Sequence, residues 1–366
     1  MLISLSLEFR HTSLETRERF RLSEDDLDRV FRPPADRGLA ELLQLSTCNR
    51  IELYGWTDAG VEESVDDALA RLGGLWRPDE AERLRLLAVA RRRHDAAAAA
   101  HMLRIAAGLE SQILGDAQIL GQVRRAYRQA VERGSVGRYL HRLFQTALRT
   151  GRRVRFEAGL AAGTGSIGGA AIDVAWRRLG SLEGRRCVVV GCGKTGAQAA
   201  RRLALLGVTE LVVVNRTLPA AAPLVPRTGA RLVSLAEVYQ ELSRADLAIV
   251  ATGADRPLIA GRALALTRET NHRSDHPLLI LDLSMPRNVE PAAGRVPGVT
   301  LLDLDGLGLL SPPATAAQRA RVAYARRIVT EELAGFQQWL LAFESGRRVG
   351  AVPGRRAETA ALAEAS

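Results

Sequence analysis

One stretch in the second half of the chain constrains the fold most. Arg186-Cys187-Val188-Val189-Val190 is a short apolar run of β-formers. Gly191-Cys192-Gly193-Lys194-Thr195-Gly196 follows at once, and Ala197–Leu206 has helical composition. Gly207 ends that helix, and Glu210–Asn215 reads as the next strand. A Gly-x-Gly-x-x-Gly pattern alone is weak. Between a strand and a helix, in a βαβ unit of this length, it predicts a dinucleotide-binding crossover. Gly191 allows the tight turn. Gly193 lets a pyrophosphate meet the helix N-terminal N–H groups, and Gly196 lets the helix pack on the strand. An acid usually follows the second strand to read an unmodified ribose. Here stand Asn215-Arg216-Thr217, and an arginine suits a 2′-phosphate, so NADP is expected over NAD.

The rest of this half extends the sheet. Asp246–Ala251 reads as a strand ending in Thr252-Gly253, and Leu278–Leu283 as another running into Ser284-Met285-Pro286-Arg287. Both carboxyl ends are expected to rim the dinucleotide crevice. Leu301–Leu304 closes the sheet. From Pro313 the chain reads as one long helix with an apolar stripe through Val322, Ile328, Val329, Leu333, Phe336 and Leu340. No later segment offers more than Ala357, Ala360, Ala361, Leu362 and Ala363 to cover it. A homodimer through residues 315–343 is the expectation.

The first half is α+β. Ile3–Phe9 alternates like a strand. Ser13–Arg21 and Glu24–Val30 read as helices, the second capped by Ser23. Pro33-Pro34 breaks the chain. Residues 62–72 read as an amphipathic helix followed by a Gly73-Gly74 turn. Leu43-Gln44-Leu45-Ser46-Thr47-Cys48-Asn49-Arg50-Ile51-Glu52-Leu53-Tyr54 suits a strand, or two half-strands joined at Ser46–Asn49. Its polar insert is expected to face a cleft, because buried polar groups need partners. Cys48 is the one strong nucleophile there, and Arg50 would favour its thiolate or grip a carboxylate. From spacing alone, a core cysteine beside a solvated arginine is the simpler reading. Asp95–Arg133 is helical in pattern. Gly108–Gly115 and its Glu-Ser-Gln insert predict either a break presenting Ser111, Asp116, Gln118 and Gln122 to a pocket, or an ordinary helix with a loop. His101 alone reads as a core histidine. Residues 138–156 form a basic helix, and the Gly/Ala-rich stretch 159–169 reads as the boundary between domains.

Composition narrows the class. Three cysteines show no metal-ligand spacing and the six histidines form no metal motif, so no metal and no disulfide framework are expected. The N-terminus lacks a basic region before its first acid, and no apolar run is long enough to span a bilayer. A cytoplasmic protein without a membrane anchor is the default. The net charge of +10, nearly all arginine, suits RNA or phosphorylated cofactors, or equally reflects a GC-biased composition rich in Ala and Gly.

Taken together, the Leu45–Tyr54 stretch, the Gly108-Leu-Glu-Ser111-Gln-Ile-Leu-Gly-Asp-Ala-Gln118-Ile-Leu-Gly-Gln122 stretch, the fingerprint ending in Asn215-Arg216-Thr217 and the Asp282–Arg287 segment resemble the glutamyl-tRNA reductases. The resemblance runs in order from about Ser4 to Leu341. It implies an α/β multidomain chain: an α+β catalytic domain over residues 1–156, a Rossmann-type NADP domain over 157–308, and a shortened spinal and dimerisation helix over 309–366. It implies NADPH-dependent reduction of glutamyl-tRNA to glutamate-1-semialdehyde, the entry to 5-aminolevulinate and porphyrins, with the aldehyde handed to an aminomutase. By motif, Cys48 is the nucleophile and His101 is important for activity. Thr47, Asn49, Arg50, Ser111, Asp116, Ala117, Gln118 and Gln122 fall on glutamyl-binding positions. Gly191, Cys192, Gly193, Lys194, Thr195 and Gly196 fall on the NADP loop. The chain departs from the family where Asp116-Ala117 replaces Glu-Pro, where His11–Leu14 lacks a proline, and where it stops soon after Phe343. Those departures motivate a competing reading, a non-catalytic paralogue that binds tRNA, haem or a partner enzyme.

Overall fold

A computed structural model describes residues 1–22, 24–31, 39–57, 64–116, 118–160, 167–273, 275–308 and 315–350. Ser23, Pro33-Pro34, Ala117 and the alanine-rich stretch 353–366 lie outside the described residues. The first sheet contains β1 (Leu2–Glu8), β2 (Glu41–Ser46), β3 (Arg50–Trp56) and β4 (Arg91–His94). It is antiparallel, in the order β2-β3-β1-β4. Side chains alternate across a strand, so the register Leu5↔Leu53, Ser6↔Glu52, Leu7↔Ile51 sorts them by face. Ile3, Leu5, Leu7, Ile51 and Leu53 bury one face under the helices Glu24–Phe31 and Val65–Trp76. The other face carries Ser4, Ser6, Glu8, Arg50, Glu52 and Tyr54, and it too is buried. The helix Asp95–Ala106 covers it and brings His101 onto it. The structure thus has a charged core layer, the exception that buried strands normally avoid.

Within this half the chain breaks as its glycines require. The helices Asp95–Ala106 and Ile119–Glu132 are separated by a turn-rich loop, where Gly108 (φ 75°) and Gly115 (φ 76°) take left-handed conformations. A Cβ on Gly115 would lie 2.5 Å from the Leu160 carbonyl oxygen. Gly73-Gly74, expected as a turn, instead lies inside the helix Val65–Trp76. A Cβ on Gly73 would meet Leu87 at 3.0 Å, so the glycine permits a close helix–helix crossing rather than a chain reversal. The edge strand β4, written Arg-Arg-Arg-His, escaped the sequence reading because it has no apolar periodicity.

The second sheet contains β5 (Arg186–Val190), β6 (Glu210–Asn215), β7 (Arg231–Ser234), β8 (Leu247–Val250), β9 (Leu278–Asp282) and β10 (Val299–Leu302). All pairs are parallel, in the order β10-β9-β8-β5-β6-β7. The order reverses between β5 and β8, which opens a crevice at their carboxyl ends. Its strands are apolar on both faces, as helices on each side demand.

The long helix Ala316–Gly350 corrects one expectation. Its apolar stripe is not left bare. Ala325, Ile328, Val329 and Phe336 are buried in the core formed by the helices of the first half. Trp339 and Phe343 stack on each other and meet Tyr139 edge-on. Glu332 accepts from Arg149 at 2.6 Å and from Arg153 at 3.1 Å. Ile328, Val329 and Phe336 therefore find their cover within the chain, while Val322, Leu333 and Leu340 of the same stripe are only half-buried.

The two sheets are tied together at several points. Gln112 donates to the Leu304 carbonyl at 2.6 Å, and the buried Arg17 pairs with Asp305 at 2.7 Å. Arg287, expected at the rim of the crevice, instead binds Glu18 of the first half through its side chain at 2.6–3.1 Å.

Candidate active site

Strands β2 and β3 pair as far as Ser46 and Ile51, so Cys48 stands at the tip of a tight hairpin. Thr47 builds the turn: its Oγ1 accepts from the Asn49 and Arg50 amides at 3.2 Å, and its own amide donates to the Arg50 carbonyl at 2.9 Å. Cys48 is half-buried and lines a cavity of about 200 Å³. Asn49, Ile113, Asp116, Gln118 and Gln122 share that wall, and Ile167, Thr195, Thr252, Leu283, Ser284 and Met285 complete it from the second half. Residues from the hairpin and from the interrupted helix are thus brought together. Ser111 is buried nearby in the same interrupted segment. Asn49 Oδ1 is buried without a hydrogen-bond partner, a donor-seeking atom in this wall.

The thiol is not activated as the sequence suggests. Burial first, and the Asp116 charge second, outweigh Arg17 and Arg50 and push Cys48 up to about 11. The reason lies in where the Arg50 guanidinium goes. It is buried, donates to Glu52 at 3.0 Å and to the Glu110 carbonyl, and is absorbed by the charged layer of the first sheet. Glu52 also accepts from Tyr54 at 2.6 Å and lies 3.0 Å from His101 Nε2. Burial alone would raise Glu52, but His101, Arg50 and Tyr54 hold it down at about 2. Glu8 takes Ser6 and Arg93 at 2.8 and 2.7 Å. Glu8, Glu52 and His101 offer ligand atoms within 4.8 Å of one another, yet two guanidinium groups already occupy that layer and would repel a cation. His101 therefore sits one layer behind the cavity, joined to Arg50 through Glu52.

The dinucleotide side is built from backbone. A cavity of about 330 Å³ is lined by Gly191, Cys192, Gly193, Asn215, Arg216 and Thr217, and also by Ala251, Thr252 and Gly253. Gly191 has φ 98°, and a Cβ there would lie 2.4 Å from the Ala251 carbonyl oxygen. A Cβ on Gly196 would lie 1.9 Å from the Gly191 carbonyl oxygen. Gly193 caps the helix Lys194–Ala204, leaving its first N–H groups pointing at the cavity. Asn215 Oδ1 accepts from the Cys192 amide at 3.3 Å, tying the loop to the end of β6. This cradle, with its helix N-terminus and the exposed Arg216, fits a nicotinamide dinucleotide. Of the loop residues, Thr195 lines the other cavity instead.

Sequence reasoning missed Thr252 as the meeting point: it lines both cavities. Its hydroxyl is held by Asn288 and its amide donates to Ser284 at 3.2 Å. The polar Thr-Gly end of β8 was the available signal. Ser284 and Met285 were expected on the crevice rim and belong to the thiol cavity.

Residues 5–158 match the family described as "Glutamyl-tRNAGlu reductase, N-terminal domain", and residues 173–309 match "Shikimate / quinate 5-dehydrogenase". The glutamyl-tRNA reductase of Pelotomaculum thermopropionicum is 34% identical over 347 residues, covering 93% of this chain and 76% of the relative. That of Chloroflexus aurantiacus is 37% identical over 349 residues, covering 90% and 78%. Among solved structures, the glutamyl-tRNA reductase from Methanopyrus kandleri superposes with a TM-score of 0.50 at 29% identity, covering 95% of this chain and 82% of that one.

Proposed function

This chain belongs to the glutamyl-tRNA reductase family, and from that premise we propose that it reduces the glutamyl group of glutamyl-tRNA with NADPH through a thioester on Cys48. It is an oxidoreductase with a nicotinamide cofactor, of the family that opens tetrapyrrole synthesis. The observation that carries the finer reading is the shared wall. The cavity holding the only cysteine of the first half and the cavity under the glycine loop both end on Thr252.

Cys48 Sγ attacks the aminoacyl ester carbonyl, an acyl–sulfur bond forms, and the ester C–O bond breaks to free the RNA terminal hydroxyl. A nicotinamide cofactor would be held by Gly191, Cys192, Gly193 and Arg216, and when bound it would supply the hydride chemistry needed at the thioester carbonyl carbon. The tetrahedral product then expels Cys48, giving glutamate-1-semialdehyde and the free thiol. Asn49, Gln118 and Gln122 offer the amide groups that hold the glutamyl moiety in the cavity. His101 and Glu52 keep Arg50 in place behind it. Arg216 pairs with the 2′-phosphate, which is the reading that makes the cofactor NADPH. We assign residues 1–156 to the acyl chemistry, 157–308 to the cofactor and 309–366 to a third region, within which the helix Ala316–Gly350 packs on the first part. A semialdehyde is reactive, so direct transfer to an aminomutase follows as an expectation of the same chemistry.

No feature of the described residues favours the non-catalytic reading. The deciding experiment incubates the chain with glutamyl-tRNA and NADPH and assays aldehyde. The reading predicts aldehyde formation that needs both components. Binding of the tRNA without any aldehyde would replace it with the non-catalytic alternative.

A further inference from the structure

Two loops meet between the cavities, and buried side chains cross-link them. Strand β8 runs out into Ala251, Thr252, Gly253 and Ala254, which rim the dinucleotide cavity. Strand β9 runs out into Leu283, Ser284 and Met285, which rim the thiol cavity. Asp282, Ser284 and Asn288 are 1%, 3% and 0% exposed. The Asp282 carboxylate accepts from the amides of Ser284 at 3.0 Å, Asn288 at 2.7 Å and Val289 at 2.9 Å, which folds the second loop back on its own strand end. Asn288 then spends both ends of its side-chain amide on the first loop. Its Nδ2 donates to the Ala254 carbonyl at 2.9 Å, and its Oδ1 accepts from the Thr252 hydroxyl. Ser284 Oγ accepts from the Thr252 amide at 3.2 Å.

The line continues on both sides. Next to Asn288, Arg287 is bound to Glu18 of the first half, by its backbone amide at 2.5 Å and its guanidinium at 2.6–3.1 Å. Beyond Thr252, a Cβ on Gly191 would lie 3.0 Å from the Thr252 Cγ2, so the threonine methyl rests against the glycine loop. One path of contacts therefore runs from the first half through Arg287, Asn288 and Thr252 to the loop under the dinucleotide cavity.

We propose that Asn288 is a positioning residue for the reduction step: by gripping Thr252 it fixes the separation between the dinucleotide cavity and Cys48. Attack by Cys48 needs only the thiol cavity, and cofactor affinity needs mainly the glycine loop. Hydride transfer alone needs the two held in register, and a misplacement of about 1 Å costs such a step about a hundredfold. The inference rests on the thioester reading, and its test separates the two.

Cys48 is first loaded from glutamyl-tRNA without NADPH, and the adduct is weighed. NADPH is then added and the loss of the adduct is timed. Thr252→Val removes the hydroxyl that Asn288 holds and keeps the branched shape. It should form the adduct within about twofold of the parent rate and bind NADPH within about threefold, but reduce the adduct about thirtyfold more slowly. Thr252→Ser keeps the hydroxyl and should reduce it within about threefold of the parent rate. Asn288→Ala should slow reduction at least as much, and adding Thr252→Val to it should change the rate by less than about twofold, because both cut the same bond. Reduction at the parent rate in Thr252→Val overturns the proposal. So does an equal loss in adduct formation, NADPH affinity and reduction, because the threonine would then serve the fold alone. A parent chain that forms no adduct sinks the thioester reading itself, and the positioning role falls with it. An adduct that forms in the parent and is reduced normally in Thr252→Val removes the positioning role alone.

Discussion

The glycine loop after β5 and the cysteine hairpin between β2 and β3 both end at Thr252, but the first works through backbone and the second through side chains. At the loop, each required residue is an absence: Gly191 and Gly196 have carbonyl oxygens where a Cβ would be. At the hairpin, each required residue is a presence, and its meaning depends on partners far away in the sequence. Arg50 is set by Glu110, Glu52 by His101, and the Cys48 thiol by Asp116. A backbone site tolerates change in its neighbours and fails abruptly when a Cβ is added. A side-chain site responds gradually to nearby charge.

The largest effect should come from Cys48→Ser. Semialdehyde formation should fall by about a thousandfold or more, since a neutral hydroxyl is a far weaker nucleophile. NADPH binding by equilibrium fluorescence should be unchanged, because no cysteine sulfur of the hairpin lines the dinucleotide cavity. Gly196→Ala should be nearly as severe on the other side. The added methyl meets backbone at 1.9 Å, so the loop must move and NADPH affinity should drop by about a hundredfold. Alkylation of Cys48 in that variant should persist. Loss of both functions in either variant would break the separation between the two sites.

The charged layer behind the hairpin gives the next effect. Glu52→Gln leaves Arg50 and His101 facing a neutral group, and should cost about 3 kcal/mol in denaturant unfolding. Glu52 is held at about 2 in the folded chain, below its ordinary carboxylate value. Its contribution is therefore complete above the unfolded value and lost as pH falls through the folded one. Parent stability should decline from about pH 4.5 towards about pH 2, with a shallower decline in Glu52→Gln. Equal slopes would mean that the layer carries no linkage.

What could be read in the sequence follows from the same contrast. The βαβ unit was legible because its glycines, strand and helix sit side by side over Arg186–Asn215. The hairpin was legible as two half-strands at Ser46–Asn49, since Leu45 and Ile51 flank a polar insert. The break at Gly108–Gly115 was legible only as one of two readings, because two glycines oppose a helix without fixing where the chain leaves it. Arg50 was not, because spacing cannot tell that Glu52 turns its guanidinium inward. The long helix and its stripe were legible, but their cover was not, because Tyr139 and the helix Arg138–Arg153 lie far from them in the sequence. The motif resemblance supplied the meaning of Cys48, which its spacing alone did not.

The smallest effect sharpens the cofactor side. Arg216→Ala should weaken NADPH by about tenfold and leave NADH within about twofold, since only the former carries a 2′-phosphate to pair. Equal losses would make Arg216 structural and remove the ground for NADP preference.

The central claim is the acyl-enzyme, and one measurement meets it directly. The chain is mixed with glutamyl-tRNA in the absence of NADPH, quenched in acid, digested, and the peptide containing Cys48 is weighed. The account predicts a glutamyl adduct on Cys48 that hydroxylamine removes and that disappears when NADPH is added before the quench. An unmodified Cys48 peptide in a sample that still yields aldehyde on adding NADPH would contradict it, and reduction would have to proceed on the ester itself.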